Sequence, residues 1–138
     1  TKIFQWYISI HIFSRIQYFC LPQHGAFYEI DADCVGIMGN IPWSLNRQWA
    51  EAVAKSGTPL FVSAKPGLLS EEEKEELHQI MLEASEQEAH YIPLDWEYTD
   101  CPEIWGDGRE KIEYNWYEEA GTCAKGNTSK YFAYIPLS

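Results

Sequence analysis

The sequence predicts an α/β fold that passes into an antiparallel, β-rich segment, with the change near residues 88–95. Three observations carry this. Helical patterns over 43–56 and from Ser70 onward alternate with two short strand-like runs. From Tyr91 the chain becomes rich in aromatic residues, among them Trp96, Tyr98, Trp105, Tyr114 and Trp116. Gly106-Asp107-Gly108 then supplies a hairpin turn, and Lys111 to Trp116 alternates polar and apolar behind it.

Taken in order, Ile8, Ile10 and Ile12 alternate with Ser9 and His11, the period of a half-buried strand. Residues 15–23 fit the end of a helix stopped near Pro22. Gly25 opens Ala26-Phe27-Tyr28-Glu29-Ile30, read as a strand that ends in Asp31-Ala32-Asp33-Cys34 and a loop running through Pro42. In the helix over 43–56, Leu45, Trp49, Ala52 and Val53 form the buried face, Ser44 is placed to cap it and Gly57 to end it. Arg47 lies one turn before Glu51, the spacing of an ion pair. Leu60-Phe61-Val62, between Pro59 and Lys65-Pro66-Gly67, reads as a fully buried strand.

The next helix carries the clearest signal in the chain. Ser70 and Glu73 form a capping box, and Glu71, Glu72 and Glu73 sit where the helix dipole is positive. Leu77, Ile80, Met81 and Ala84 then recur at helical spacing. This acidic run is a solvated helix start rather than a metal site. Thr122 to Ser138 has no clear period, and it and the first residues differ in style from the middle.

Bulk properties narrow the function. The 138 residues carry a formal charge of −11, with 46% apolar. Such a surface repels nucleic-acid phosphates and anionic lipid, so neither is an expected partner. The apolar N-terminal stretch is shorter than the ~20 residues that span a bilayer, and it lacks the charged start and small-residue cleavage site of a signal peptide. Cys20, Cys34, Cys101 and Cys123 are widely and irregularly spaced. No zinc site follows from that spacing, and the expectation is mostly free thiols.

Asp31 and Asp33, at the end of an expected strand, are the sharpest local feature, because α/β folds bind ligands at strand carboxyl ends. Three chemistries suit the pair. Carboxylates accept hydrogen bonds from sugar hydroxyls, and Trp43 on the following loop offers an apolar wall, although a lone tryptophan is more often a packing residue. A metal-held sugar nucleotide is the second, without a nucleotide-binding signature to accompany it. For the third, Ile30-Asp31-Ala32-Asp33-Cys34-Val35 resembles in outline the first motif of the haloacid-dehalogenase-like phosphohydrolases, with Leu60 to Ser63 as the second. That resemblance implies Asp31 as nucleophile, Asp33 as acid and a Mg²⁺ ion. Gly106-Asp107 is faintly similar to the last motif of that family, but Glu29 interrupts the apolar strand the family needs and no second acid follows Asp107 at the right place.

Residues 24–86 together resemble the last two units of the α-galactosidase (melibiase) clan of glycoside hydrolases. Asp31-Ala32-Asp33-Cys34 occupies the place of that clan's Asp-Pro-Asp-like turn, with Ala32 for Pro. Thr58-Pro59-Leu60-Phe61-Val62-Ser63 is similar to its final barrel strand, and Leu68-Leu69-Ser70 to the segment after that strand. Lys65 stands near a position where the clan often has Asp. The resemblance implies a partial (β/α)₈ barrel over 1–90, then a linker and the first strands of a β-rich domain over 91–138. A whole barrel needs roughly 250 residues, so it also implies a fragment.

By the same resemblance, the parent hydrolyses O-glycosidic bonds with retention. Asp33 holds the sugar, Asp31 supports the loop, and the catalytic carboxylates lie on strands outside this chain. The implied partner is a carbohydrate, with no cofactor and no metal. The isolated chain is expected to be inactive, and to self-associate where truncation leaves strand edges open; the Mg²⁺-dependent phosphohydrolase is the alternative, and a non-catalytic carbohydrate-binding fragment the second alternative. Elsewhere, Ser63 has no partner histidine that would make it a nucleophile, Lys65 is by default solvated, and His24, His78 and His90 form no site.

Overall fold

The computed structural model describes residues 34–86, 91–99 and 102–116. Strand β1 is Cys34–Ile37. Helix α1 is Trp43–Lys55, strand β2 is Phe61–Ala64, and helix α2 is Glu71–Glu86. Three short strands follow: β3, Ile92–Pro93; β4, Ile104–Gly106; and β5, Lys111–Glu113. Strands β1 and β2 pair in parallel, Cys34 opposite Phe61 and Ile37 opposite Ala64. Strands β3, β4 and β5 form a separate antiparallel sheet in that order.

This architecture replaces the expected partial barrel. A barrel needs each parallel strand bonded on both sides and a βα unit repeated around the ring. Here one β–α–β crossover forms, and after α2 the chain turns into the antiparallel sheet rather than adding a third parallel strand. Among the described residues β2 has β1 as its one strand neighbour. β2 is also not the fully buried strand its apolar run suggests, since Phe61, Ser63 and Ala64 are exposed. The start of β1 differs from expectation too: residues 34–37, read from sequence as loop, are strand. Val35 and Ile37 alternate with Cys34 and Gly36, and the first two are buried, which is the strand period.

Helix α1 begins one residue before Ser44, with Pro42 at the N-cap and no side-chain cap. The Pro42 carbonyl accepts from the backbone N–H groups of Leu45 and Asn46, both at 3.1 Å. Ser44 therefore lies inside the first turn instead of capping it, and its hydroxyl has no hydrogen-bond partner among the described residues. Helix α2 starts as its sequence requires. Ser70 N–H donates to Glu73 at 2.8 Å, and Glu73 N–H donates to the Ser70 hydroxyl at 3.2 Å. This closes the reciprocal capping box.

The core is one buried cluster drawn from both sheets and both helices. Val35, Ala50, Val53 and Trp105 are fully buried in it. Two indoles share one acceptor: Trp105 and Trp116 donate to the Pro102 carbonyl at 3.0 and 2.7 Å. That satisfies two polar groups which would otherwise be costly inside a core. Tyr114 stacks on Trp116 with ring centroids 4.8 Å apart.

Backbone and side-chain bonds fasten the antiparallel segment to α1. Tyr91 N–H donates to the Lys55 carbonyl at 2.8 Å. The Gln48 amide clasps the backbone of Asn115, accepting from its N–H at 2.7 Å and donating to its carbonyl at 3.0 Å. The hairpin between β4 and β5 is held by Asp107, whose carboxylate accepts from the N–H groups of Arg109 and Glu110 at 2.8 and 2.9 Å.

Gly106 ends β4 where a Cβ would collide with the Glu110 backbone carbonyl. Backbone on the far side of a tight turn cannot move aside as a flexible side chain can. Gly106→Ala is therefore expected to destabilise the protein by about 1–3 kcal/mol. At Gly36 a Cβ meets nothing within 4 Å, so Gly36→Ala should stay within about 0.5 kcal/mol of the parent. Urea unfolding of both variants checks the contrast, and equal midpoints would refute it.

Candidate functional site

Of the residues singled out from sequence, Asp31 and Asp33 lie outside the described residues, as do His24 and His90. Asp33 is bonded to Cys34, the first residue of β1. The loop expected to run from there through Pro42 is thus interrupted by a strand. Trp43 opens α1, is half-buried against the core, and donates its indole N–H to Glu76 of α2 at 2.6 Å. Its part in the fold is to tie the start of α1 to the second turn of α2. His78 is exposed on α2, and Ser63 and Lys65 are exposed at the end of β2.

A different group of residues comes together between β3 and β4. The register places Ile92 opposite Gly106 and Pro93 opposite Trp105. Side chains alternate along a strand, so Trp105 and Pro93 face the core while Ile92 and Ile104 share the outer face. Ile92 and Ile104 are indeed exposed, and so are Leu94, Trp96 and Tyr98 on the connecting turn. Tyr98 stands furthest out, with 87% of its surface in solvent.

Hydrogen bonds brace the described part of this turn. Asp95 accepts from two backbone N–H groups across the turn, those of Glu103 at 3.1 Å and Ile104 at 3.2 Å. Leu94 N–H donates to the Ile104 carbonyl at 2.8 Å, and Tyr98 N–H to the Asp95 carbonyl at 3.0 Å. The aromatic rings are therefore carried on a braced loop, so ordering them on a ligand costs less than it would on a flexible one. Exposed Glu97 and half-buried Glu103 lie in the same stretch of chain. From the sequence, the aromatic density after Tyr91 read as a strand-prone segment and not as a site. Its bracing did not show, because an aspartate that folds back to two amides eight and nine residues on leaves no short-range pattern.

The ionisable groups elsewhere serve the fold. Burial pushes the Glu51 carboxyl up, opposed by the charges of Lys55 and then Arg47, and Arg47 lies 3.6 Å away. Backbone N–H groups from Glu110 and Arg109 hold Asp107 below the usual carboxylate range. Burial raises the Tyr114 phenol, which stays neutral. Lys55 bridges α1 to α2 through Glu83 at 3.3 Å and lies over the Tyr91 ring, 5.4 Å from its centroid. Among the described residues there is no cluster of three histidine, cysteine or carboxylate side chains able to hold a metal. No helix among them is long and apolar enough to cross a membrane.

Set beside protein-family profiles, curated proteins and solved structures, the chain matches none.

The raised Glu51 fixes a sign. Its folded-state pKa lies above its unfolded value, so the folded protein binds more protons in the window between them, and stability falls as pH rises through that window. Glu51→Gln removes the charge that burial disfavours. It should melt at a higher temperature than the parent at neutral pH and at the same temperature in acid, where Glu51 is protonated in both states. Thermal melts at the two pH values check this; a lower melting temperature for the variant at neutral pH would refute it.

Proposed function

We propose that this chain is a sugar-binding part of a glycoside hydrolase, α-galactosidase-like and retaining, whose catalytic carboxylates are supplied from outside it. The observation that carries the reading is the braced aromatic turn, on which Trp96 and Tyr98 are exposed and in whose stretch of chain Glu97 is also exposed. A pyranose offers apolar C–H faces and a rim of hydroxyls. Aromatic rings meet the first, and carboxylates accept from the second. A sugar is also neutral, so a chain of charge −11 does not repel it as it would a phosphate or an acidic polymer.

The similarity of Asp31-Ala32-Asp33-Cys34 and of Thr58 to Ser63 to the α-galactosidase clan supports the choice of glycoside chemistry. With the barrel overturned, that support rests on short motifs and no longer on architecture. In this reading Asp33 contacts the sugar and Asp31 supports its loop.

Titrating the full chain with galactosides and following tryptophan fluorescence tests the reading, with glucosides and p-nitrophenyl phosphate as comparisons. Saturable binding of a galactoside is expected. Tyr98→Ala and Trp96→Ala should weaken it roughly tenfold each, given about 1.4 kcal/mol per lost stacking contact. Absence of binding to every sugar would refute the reading. Mg²⁺-dependent release of nitrophenol from the phosphate, abolished by EDTA, would put a phosphohydrolase in its place. Binding lost in Asp33→Ala but kept in both aromatic variants would keep the sugar and remove the turn as its site.

A further inference from the structure

We infer that the aromatic turn takes a chain of sugars rather than a single one: a neutral, linear glycan lying from Trp96 and Tyr98 along the outer face of β3 and β4. This rests on the sugar-binding reading above and concerns the same site. The turn is open, with 87% of the Tyr98 surface and 38% of the Trp96 surface in solvent. A pocket encloses most of a small ligand, whereas an exposed ring covers one face of one pyranose. The other face and the hydroxyl rim stay in water, so a lone sugar is held weakly. A glycan chain is not bound by that limit. Once one of its sugars is stacked, its neighbours stand beside the protein at high effective concentration, and each further contact adds to affinity.

The sheet supplies those further contacts. Ile92 is paired with Gly106, and one step along the Leu94 N–H donates to the Ile104 carbonyl. Residues two apart on a strand, and those opposite them, share a face, which sets Ile92, Leu94 and Ile104 together on the outer side. All three are exposed. A Cβ added at Gly106 would come within 3.2 Å of the Leu94 Cδ1, so the Leu94 side chain lies beside the glycine on that face. The turn adjoins the face at its Leu94–Ile104 end, where the Asp95 carboxylate accepts from the Ile104 N–H at 3.2 Å. Rings and face thus follow one another, an extended shape that suits a chain better than a single ring. Charge disfavours an acidic glycan here. The protein carries −11, and Glu97 on the turn and Glu113 opposite Ile104 are exposed, against Lys111 opposite Gly106.

Isothermal titration calorimetry of the full chain with galactose, and with linear galacto-oligosaccharides of increasing length, tests this. Affinity is expected to rise roughly tenfold or more from galactose to the longer chains, then to level off once the surface is spanned. Ile104→Thr keeps a strand-forming residue while making the face polar, and should remove most of that rise. Phe61→Ser, at an exposed apolar residue of the other sheet, should leave the rise intact. Galacturonic acid chains of the same lengths should bind more weakly, the more so at low salt. Circular dichroism and thermal melts identify any variant that fails to fold, and Leu94→Thr is the second variant on the face. Galactose bound as tightly as the longest chain overturns the inference and leaves the sugar-binding reading standing. So does a rise with length that folded Ile104→Thr or Leu94→Thr retains in full, or acidic chains that bind as tightly as neutral ones. Binding of no sugar at all overturns both.

Discussion

Helix α1 is packed on three sides, and the rest of the structure depends on that. Strand β1 lies against it, α2 runs alongside, and the segment from Tyr91 to Trp116 is bonded to it at two places. A helix with one apolar stripe cannot serve three neighbours. α1 meets the demand with small and apolar residues over most of its circumference: Leu45, Trp49, Ala50, Ala52, Val53 and Ala54 are all buried. The alanines let neighbouring backbones approach, while Trp49 fills the wider gap. Where neighbours are polar at the rim, α1 uses Gln48 and Lys55 to bind them through hydrogen bonds and an ion pair.

The local elements were legible where the signal is local. α2 announces itself through Ser70 and Glu73, which satisfy each other's backbone within four residues. The hairpin does so through Asp107 and Gly108, the latter at φ +89°, a conformation that glycine adopts without a Cβ penalty. The assembly of those elements was not legible. The pattern of strand, helix, strand and helix is the same whether the unit repeats around a barrel or stops after one crossover. After that crossover Trp105, Tyr114 and Trp116 join the buried cluster that includes α1. Nothing in their spacing tells which helix they will cover. Similarly, Ser44 has the chemistry of a cap, but Pro42 already supplies φ −56° and a carbonyl for two amides, so the helix starts a residue earlier.

The two ends of the chemistry separate in the same way. Trp43 had the residue type for a sugar wall, yet its indole is taken up by Glu76. Tyr98 and Trp96 have that same type and are left outward because Asp95 binds two amides of the returning strand. What distinguishes a packing aromatic from a presenting one is therefore the brace behind it. A loop held by its own backbone can hold a large ring in water. A loop without such bonds would tend to fold the ring onto the nearest apolar surface, here Ile92 and Ile104.

Asn46 shows where the sequence and this packing disagree. It is fully buried on α1, and neither its amide nitrogen nor its oxygen has a hydrogen-bond partner among the described residues. An orphaned buried amide costs about 1–3 kcal/mol, which a leucine of similar volume would not. Natural sequences are locally consistent except where something else is served. Asn46 lies one turn after Trp43, at the end of α1 that follows the carboxyl end of β1 in the chain. Ser44, two residues before it, is also unpartnered among the described residues, so the first turns of α1 hold two polar side chains whose desolvation the described packing does not offset.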